Sequence, residues 1–194
     1  MPGKQSRRKQ YGFTIFELIV VMTVVAVLMG IVAPRFRLAS STTLQMAGIQ
    51  MAQDIDVSRT RALSTRQMVR VAFDDGDNRY GGYLDHDNDG TITQSAAEWQ
   101  ALRGFGERSL PPGIVFGRGS APALPNGQGG TGAGAITVNS DRVEFDSRGL
   151  ALPAGSTGAV YLVSPSEPER VVAISVAPSG NTRFWTWTPG EGWK

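Results

Sequence analysis

The sequence predicts an α+β fold, a long N-terminal helix packed on antiparallel β-sheet. Two observations carry this. Leu44, Gly48, Met51, Ile55, Ser58 and Ala62 recur at spacings of three and four, a helical stripe. From Val69 onward the period changes to two, in short runs divided by Gly, Pro, Asn and Asp, as in a sheet of many short strands.

The chain opens with a basic leader, residues 1–12, that holds Lys4, Arg7, Arg8 and Lys9 and no acid. Residues 13–33 are apolar except for one charge, Glu17. About twenty such residues suffice to cross a bilayer as a helix. A carboxylate inside such a span costs roughly 2.5–3.5 kcal/mol at the bilayer centre, so it requires a partner. The run is longer than a secretory signal's apolar region, and it ends Gly30-Ile31-Val32-Ala33-Pro34-Arg35 without an A-x-A-like site. The leader's charge keeps the N-terminus cytoplasmic and sends the rest outside.

Residues 34–67 continue the helix as the amphipathic stripe, with Gln45, Gln50, Asp54, Arg59 and Arg66 between the apolar positions, and it is expected to end near Gln67. Pro34 is placed to kink it on leaving the membrane. Gly48 on the stripe is read equally as a close backbone approach or as a simple weak spot in the helix. Residues 68–194 form the β-rich globular domain, sufficient for one small core. Its expected strands are Val69–Phe73, Tyr80–Leu84, Trp99–Phe105, Ile114–Phe116, Ala135–Val138, Arg142–Phe145, Ala159–Val163, Val171–Val176 and Thr182–Thr188. Residues 117–134, rich in Gly, Ala and Pro, are expected to be an exposed, flexible loop.

Composition narrows the function. The chain has 19 basic and 17 acidic side chains. Without the four leader cations the balance is 15 against 17, a side-chain charge of −2, so the basic pI of about 9.2 is a leader effect and no nucleic-acid footprint. Cysteine is absent, which excludes disulfides and thiolate metal sites. Gly127-Gln128-Gly129-Gly130-Thr131-Gly132 matches G-x-G-x-x-G formally, but no strand feeds it and no helix follows, so it is not a dinucleotide site. The single histidine, His86, lies in a polar turn, and no G-x-S-x-G or histidine pair occurs. The chain is expected to be no enzyme and to need no cofactor.

One segment is suggestive of a metal. Asp85-His86-Asp87-Asn88-Asp89-Gly90-Thr91-Ile92 alternates carboxylates before a glycine, as an EF-hand loop does. Calcium would use Asp85, Asp87, Asp89 and the Thr91 carbonyl. The twelfth position is Ala96, and Glu98 lies two residues late. The competing reading is a solvated turn of a β-hairpin, held by Asp, Asn and Gly.

The leader, Gly12, Phe13, Glu17 four residues beyond it, the apolar run and Pro34 together resemble the type III signal of type IV pilins and type II secretion pseudopilins. The resemblance implies that a prepilin peptidase/N-methyltransferase cuts after Gly12 and methylates Phe13. It also implies that Glu17 meets a neighbour's amine and guides assembly. Tyr83–Arg103, Val143–Gly149 and Val176–Arg183 resemble segments of the GspH/FimT group, low-copy subunits with a long helix on antiparallel sheet. The implied function is a minor pseudopilin of a type II secretion system, anchored once in the bacterial inner membrane, with a periplasmic domain. It would assemble with other pseudopilins or pilins on an inner-membrane platform into a pseudopilus that helps export folded proteins. The alternative is a minor type IV pilin of the FimT/FimU kind, in pilus assembly or DNA uptake. That group's DNA-binding members carry a Gly-Arg-x-Arg-like tail. Here the matching segment is Gly180-Asn181-Thr182-Arg183, with Arg183 alone, so nucleic acid is not the expected partner. A third class is a signal-anchored domain that never assembles and keeps its leader.

Overall fold

The computed structural model describes residues 14–93, 95, 98, 102 and 106–194, with the side chains of 30–39 outside that description. The leader, the expected strand Trp99–Phe105 except Leu102, and Ala96 lie outside the described residues. The chain divides into two compact units, Met1–Leu38 and Ala39–Lys194.

Helix α1 spans Ile15–Thr65. It stops two residues before the expected end because Arg66 takes φ +57°, the left-handed conformation that closes a helix. Within the second unit the predicted stripe is buried throughout: Leu44 is 2% exposed, Met51, Ile55, Ser58 and Ala62 are 0%, and Gly48 is buried too. Asp54, read as part of the polar face, is instead buried.

The strands are β1 (Val69–Asp74), β2 (Arg79–Leu84), β3 (Arg108–Ser109), β4 (Val115–Phe116), β5 (Arg142–Phe145), β6 (Ala151–Leu152), β7 (Gly158–Ser164), β8 (Glu167–Val176), β9 (Thr182–Thr188) and β10 (Gly192–Trp193). They form two antiparallel sheets rather than one, in the orders β3-β2-β1-β5-β6 and β10-β9-β8-β7-β4. Ala135–Val138 is not a strand. It makes one isolated bridge, Ile136 to Val160.

One core joins the helix to both sheets. Leu44, Met51 and Ile55 cluster with Val69, Val71 and Phe145 of the first sheet and with Leu162, Val172 and Ile174 of the second. A β-carbon at Gly48 would overlap Cγ1 of Val172 and lie 2.8 Å from Cε2 of Phe184, so glycine sets the helix-to-sheet spacing there. Gly48→Leu is expected to cost about 3 kcal/mol through overpacking, read as a lower denaturant midpoint. An unchanged midpoint would mean that α1 can move off the sheet.

Residues 117–134 are largely exposed and irregular, as expected, but are anchored at a few points. Ala121 (8%) and Leu124 (4%) pack with Ala159, Tyr161, Val163, Val171 and Ala173 on the outer face of the second sheet. The Arg118 guanidinium lies 4.9 Å from the centre of the Tyr161 ring. Thr137 Oγ1 donates to the Gly129 carbonyl at 2.5 Å. The segment covers a sheet face that would otherwise expose a valine- and tyrosine-rich surface.

Candidate functional site

The N-terminal half of α1 presents apolar side chains all round. Ile15 is 82% exposed, Phe16 76%, Met22 63% and Val27 58%, and every residue of 15–29 is exposed. A helix apolar on every side belongs in lipid or in the core of an assembly. Among the described residues no helix is long and apolar enough to cross a membrane. The run counted in the sequence also takes in Phe13 and Gly30–Ala33, whose side chains fall outside the description.

Thr14 caps this helix: its Oγ1 accepts from the Glu17 amide at 3.2 Å, and its carbonyl accepts from Leu18 at 3.1 Å. Glu17 is therefore the third helical residue, in the first turn, where the helix dipole favours a carboxylate. The processing residues Gly12 and Phe13 lie outside the described residues. Pro34 falls within the span of α1, its side chain outside the description.

The acidic loop follows β2. Asp85, Asp87 and Asp89 bring one carboxylate oxygen each within 4.8 Å of one another. Asp85 is buried, and its oxygens already accept from the amides of Asp89 (3.2 Å) and Gly90 (2.9 Å). Thr91 gives its amide to Asp89 Oδ1 at 2.7 Å. Glu98 does not join them. Its carboxylate accepts from the Thr93 amide and hydroxyl and from the Ser95 amide, while the Glu98 amide donates to Ser95 Oγ at 3.4 Å. That reciprocal pair is a capping box. Burial alone would raise the Glu98 pKa, but the amide bonds from Ser95 and Thr93 outweigh it and hold the carboxyl below its ordinary value. Arg70 ties the loop to the first sheet: Nη1 donates to the Ile92 carbonyl at 2.7 Å while the guanidinium pairs with Glu144 at 2.6 Å.

Chemically, the three aspartates can take one divalent cation, but Asp85 spends its oxygens on the loop's own amides. Millimolar calcium is accordingly expected to give little heat in calorimetric titration of the chain. A stoichiometric isotherm lost in Asp87→Asn would instead establish a three-carboxylate site. His86 is exposed, and its carbonyl accepts from Gln67 Nε2 at 3.1 Å, a loop contact.

Two hubs were not singled out in the sequence. Asp54 accepts from Tyr80 Oη (2.8 Å) and Gln50 Nε2 (3.1 Å) and pairs with Arg108 (2.9 Å). Burial, then the bond to Asp54, pushes the Tyr80 phenol well above its ordinary value. Arg59 gives Nε to the Gly149 carbonyl (3.0 Å), Nη1 to Asn181 Oδ1 (2.8 Å) and Nη2 to the Ser179 carbonyl (3.0 Å). It joins the helix to the two turns, 146–149 and 177–181, that carry the later sequence resemblances.

Four described cations of the second half hold carboxylates. Arg142 pairs with Glu144 (3.2 Å), Arg148 with Asp146 (3.0 Å), Arg170 with Glu167 (3.8 Å) and Lys194 with Glu191 (2.7 Å). Arg183 is exposed on β9 with its guanidinium 5.5 Å from the Trp185 ring centre.

A long N-terminal helix whose second half packs on two antiparallel sheets is an α+β fold of the pilin-like kind. Residues 7–33 match the prokaryotic N-terminal methylation motif. The fold is similar to that of the minor pseudopilin EpsH from the type 2 secretion system of Vibrio cholerae, with TM-score 0.50 and 13% identity over 76% of this chain and 98% of that one. A second structure of Vibrio cholerae EpsH gives TM-score 0.48 at 15% identity, covering 78% and 98%. The type IV minor pilin FimU of Pseudomonas aeruginosa gives 0.44 at 11%, covering 78% and 92%. No curated protein matches in sequence.

Proposed function

We propose that this chain is a minor pseudopilin subunit of a type II secretion system. The carrying observation is the run of exposed apolar side chains on the helix over residues 15–29 with Glu17 in its first turn, inside a methylation motif that spans 7–33. The leader is removed after Gly12 by a prepilin peptidase, and the new Phe13 amine is methylated. Until assembly, the apolar helix stores the subunit in the inner membrane with its N-terminus cytoplasmic and the globular unit outside. In the filament that helix packs among the helices of other pilin-like subunits, and an inner-membrane platform drives the movement. The role is structural. The ion pairing of Arg142, Arg148 and Arg170 supports secretion over DNA capture, since it leaves little free positive charge for phosphates.

The test is deletion of the gene, with the secreted proteome and surface piliation compared in one strain. Loss of secreted proteins with pili intact is the expected result. Intact secretion with lost piliation or transformation would assign the chain to a type IV pilus. No phenotype in either would overturn both.

A further inference from the structure

We propose that the outer edge of β9, at Thr182–Trp185, is a docking strand for an extended, acidic segment of another protein. Strand β9 pairs with β8 along its length, but on its other side β10 reaches only Trp187 and Thr188. The last bonds on that side are the reciprocal pair between Thr186 and Lys194, at 2.9 and 3.0 Å. Because the pattern alternates along a strand, the N–H and C=O of Phe184 and Thr182 point the same way as those of Thr186. Among the described residues no strand meets them. Two donor–acceptor pairs, spaced two residues apart along an exposed strand, are what the main chain of an added strand satisfies.

The side chains choose the partner's charge. Arg183 and Trp185 lie on the outer face of the sheet, Trp185 packed on the outer core and Arg183 over its ring. Arg142, Arg148, Arg170 and Lys194 each hold a carboxylate, whereas Arg183, like Arg118, has none within 4 Å among the described residues, and of these two only Arg183 lies on the open edge strand. Its backbone faces β8, so against an added strand it occupies the non-hydrogen-bonded position, where facing side chains come closest. An acidic residue opposite it completes the pair. A nucleic acid fits this edge less well: it offers no main chain to the open amides, and the guanidinium already covers the Trp185 ring. The inference holds whichever machine the subunit serves.

The test uses the full chain in detergent and two labelled hexapeptides, alternating valine with glutamate or valine with lysine. Fluorescence anisotropy reports binding, and amide exchange reports protection at Thr182 and Phe184. The glutamate peptide should bind about fivefold more tightly than the lysine peptide and protect both amides. Arg183→Glu should invert the preference. Phe184→Pro should abolish binding of both, because it removes an outward N–H that β8 does not use. The proposal is overturned if neither peptide binds at millimolar concentration. It is equally overturned if both bind alike to the wild-type chain, or if Arg183→Glu leaves the preference unchanged.

Discussion

Glu17→Leu leaves the chain inserted in the membrane and cleaved after Gly12 but nearly absent from filaments. The expectation follows from the cost of an intramembrane carboxylate, roughly 2.5–3.5 kcal/mol at the bilayer centre, which a positive partner relieves. A neighbour's Phe13 amine is that partner in the proposed assembly. Without the carboxylate the helix sits in lipid more comfortably and has less reason to leave it. Each 1.4 kcal/mol of lost pairing is about tenfold in the equilibrium, so the loss is on the order of a hundredfold. Thr14 still caps the helix through its hydroxyl and carbonyl, so the variant keeps its helical start. The readout is the amount of subunit in the sheared or crosslinked filament fraction against the membrane fraction. Wild-type incorporation of Glu17→Leu would show that the carboxylate is only a tolerated first-turn residue.

The second large effect concerns the globular unit. Arg59→Ala is expected to destabilise it by about 3 kcal/mol. Three charge-assisted bonds disappear at once, and the carbonyls of Gly149 and Ser179 lose their donors. The turns are built around this side chain. Gly180, at φ +80°, sits so close that a β-carbon would overlap the Gly149 carbonyl oxygen and lie 2.8 Å from Arg59 Nε. Thr182 Oγ1 adds a bond to Asp56, one turn earlier on the helix, at 2.5 Å. Denaturant unfolding measures the loss. Arg59→Lys should recover little, since one ammonium cannot reach three acceptors in a fork. A loss below about 1 kcal/mol would mean that the two turns hold each other without the helix.

The stripe from Leu44 to Ala62 was legible because a helix on a core has one dominant period, and six of six positions are buried. Strand β9 was legible to the residue for the same reason, with a period of two between clear turn residues. The two-residue strands β3, β6 and β10 were not, because their pairing is decided by partners far away in sequence rather than by any local pattern. The anchoring of Ala121 and Leu124 within the otherwise exposed 117–134 has no sign in that segment's own composition. The signal lay elsewhere: Ala159–Val163 is a continuous apolar run, and β7 is buried at every position, which requires cover on both faces. Arg59 gave no local sign, since one arginine on a helix resembles any solvated residue. Of the candidate metal set, the alternation Asp85, Asp87, Asp89 predicted a real convergence. Glu98 was drawn in by spacing, while the Ser95-x-x-Glu98 pattern that explains it is a capping box visible in the sequence.

The central claim is that the chain is processed and assembled as a pilin-like subunit, and the intact mass of the membrane-extracted protein tests it most directly. A chain that begins at Phe13 and carries one added methyl group is the predicted result. A chain that still begins at Met1 would contradict it and leave a signal-anchored domain that never enters a filament.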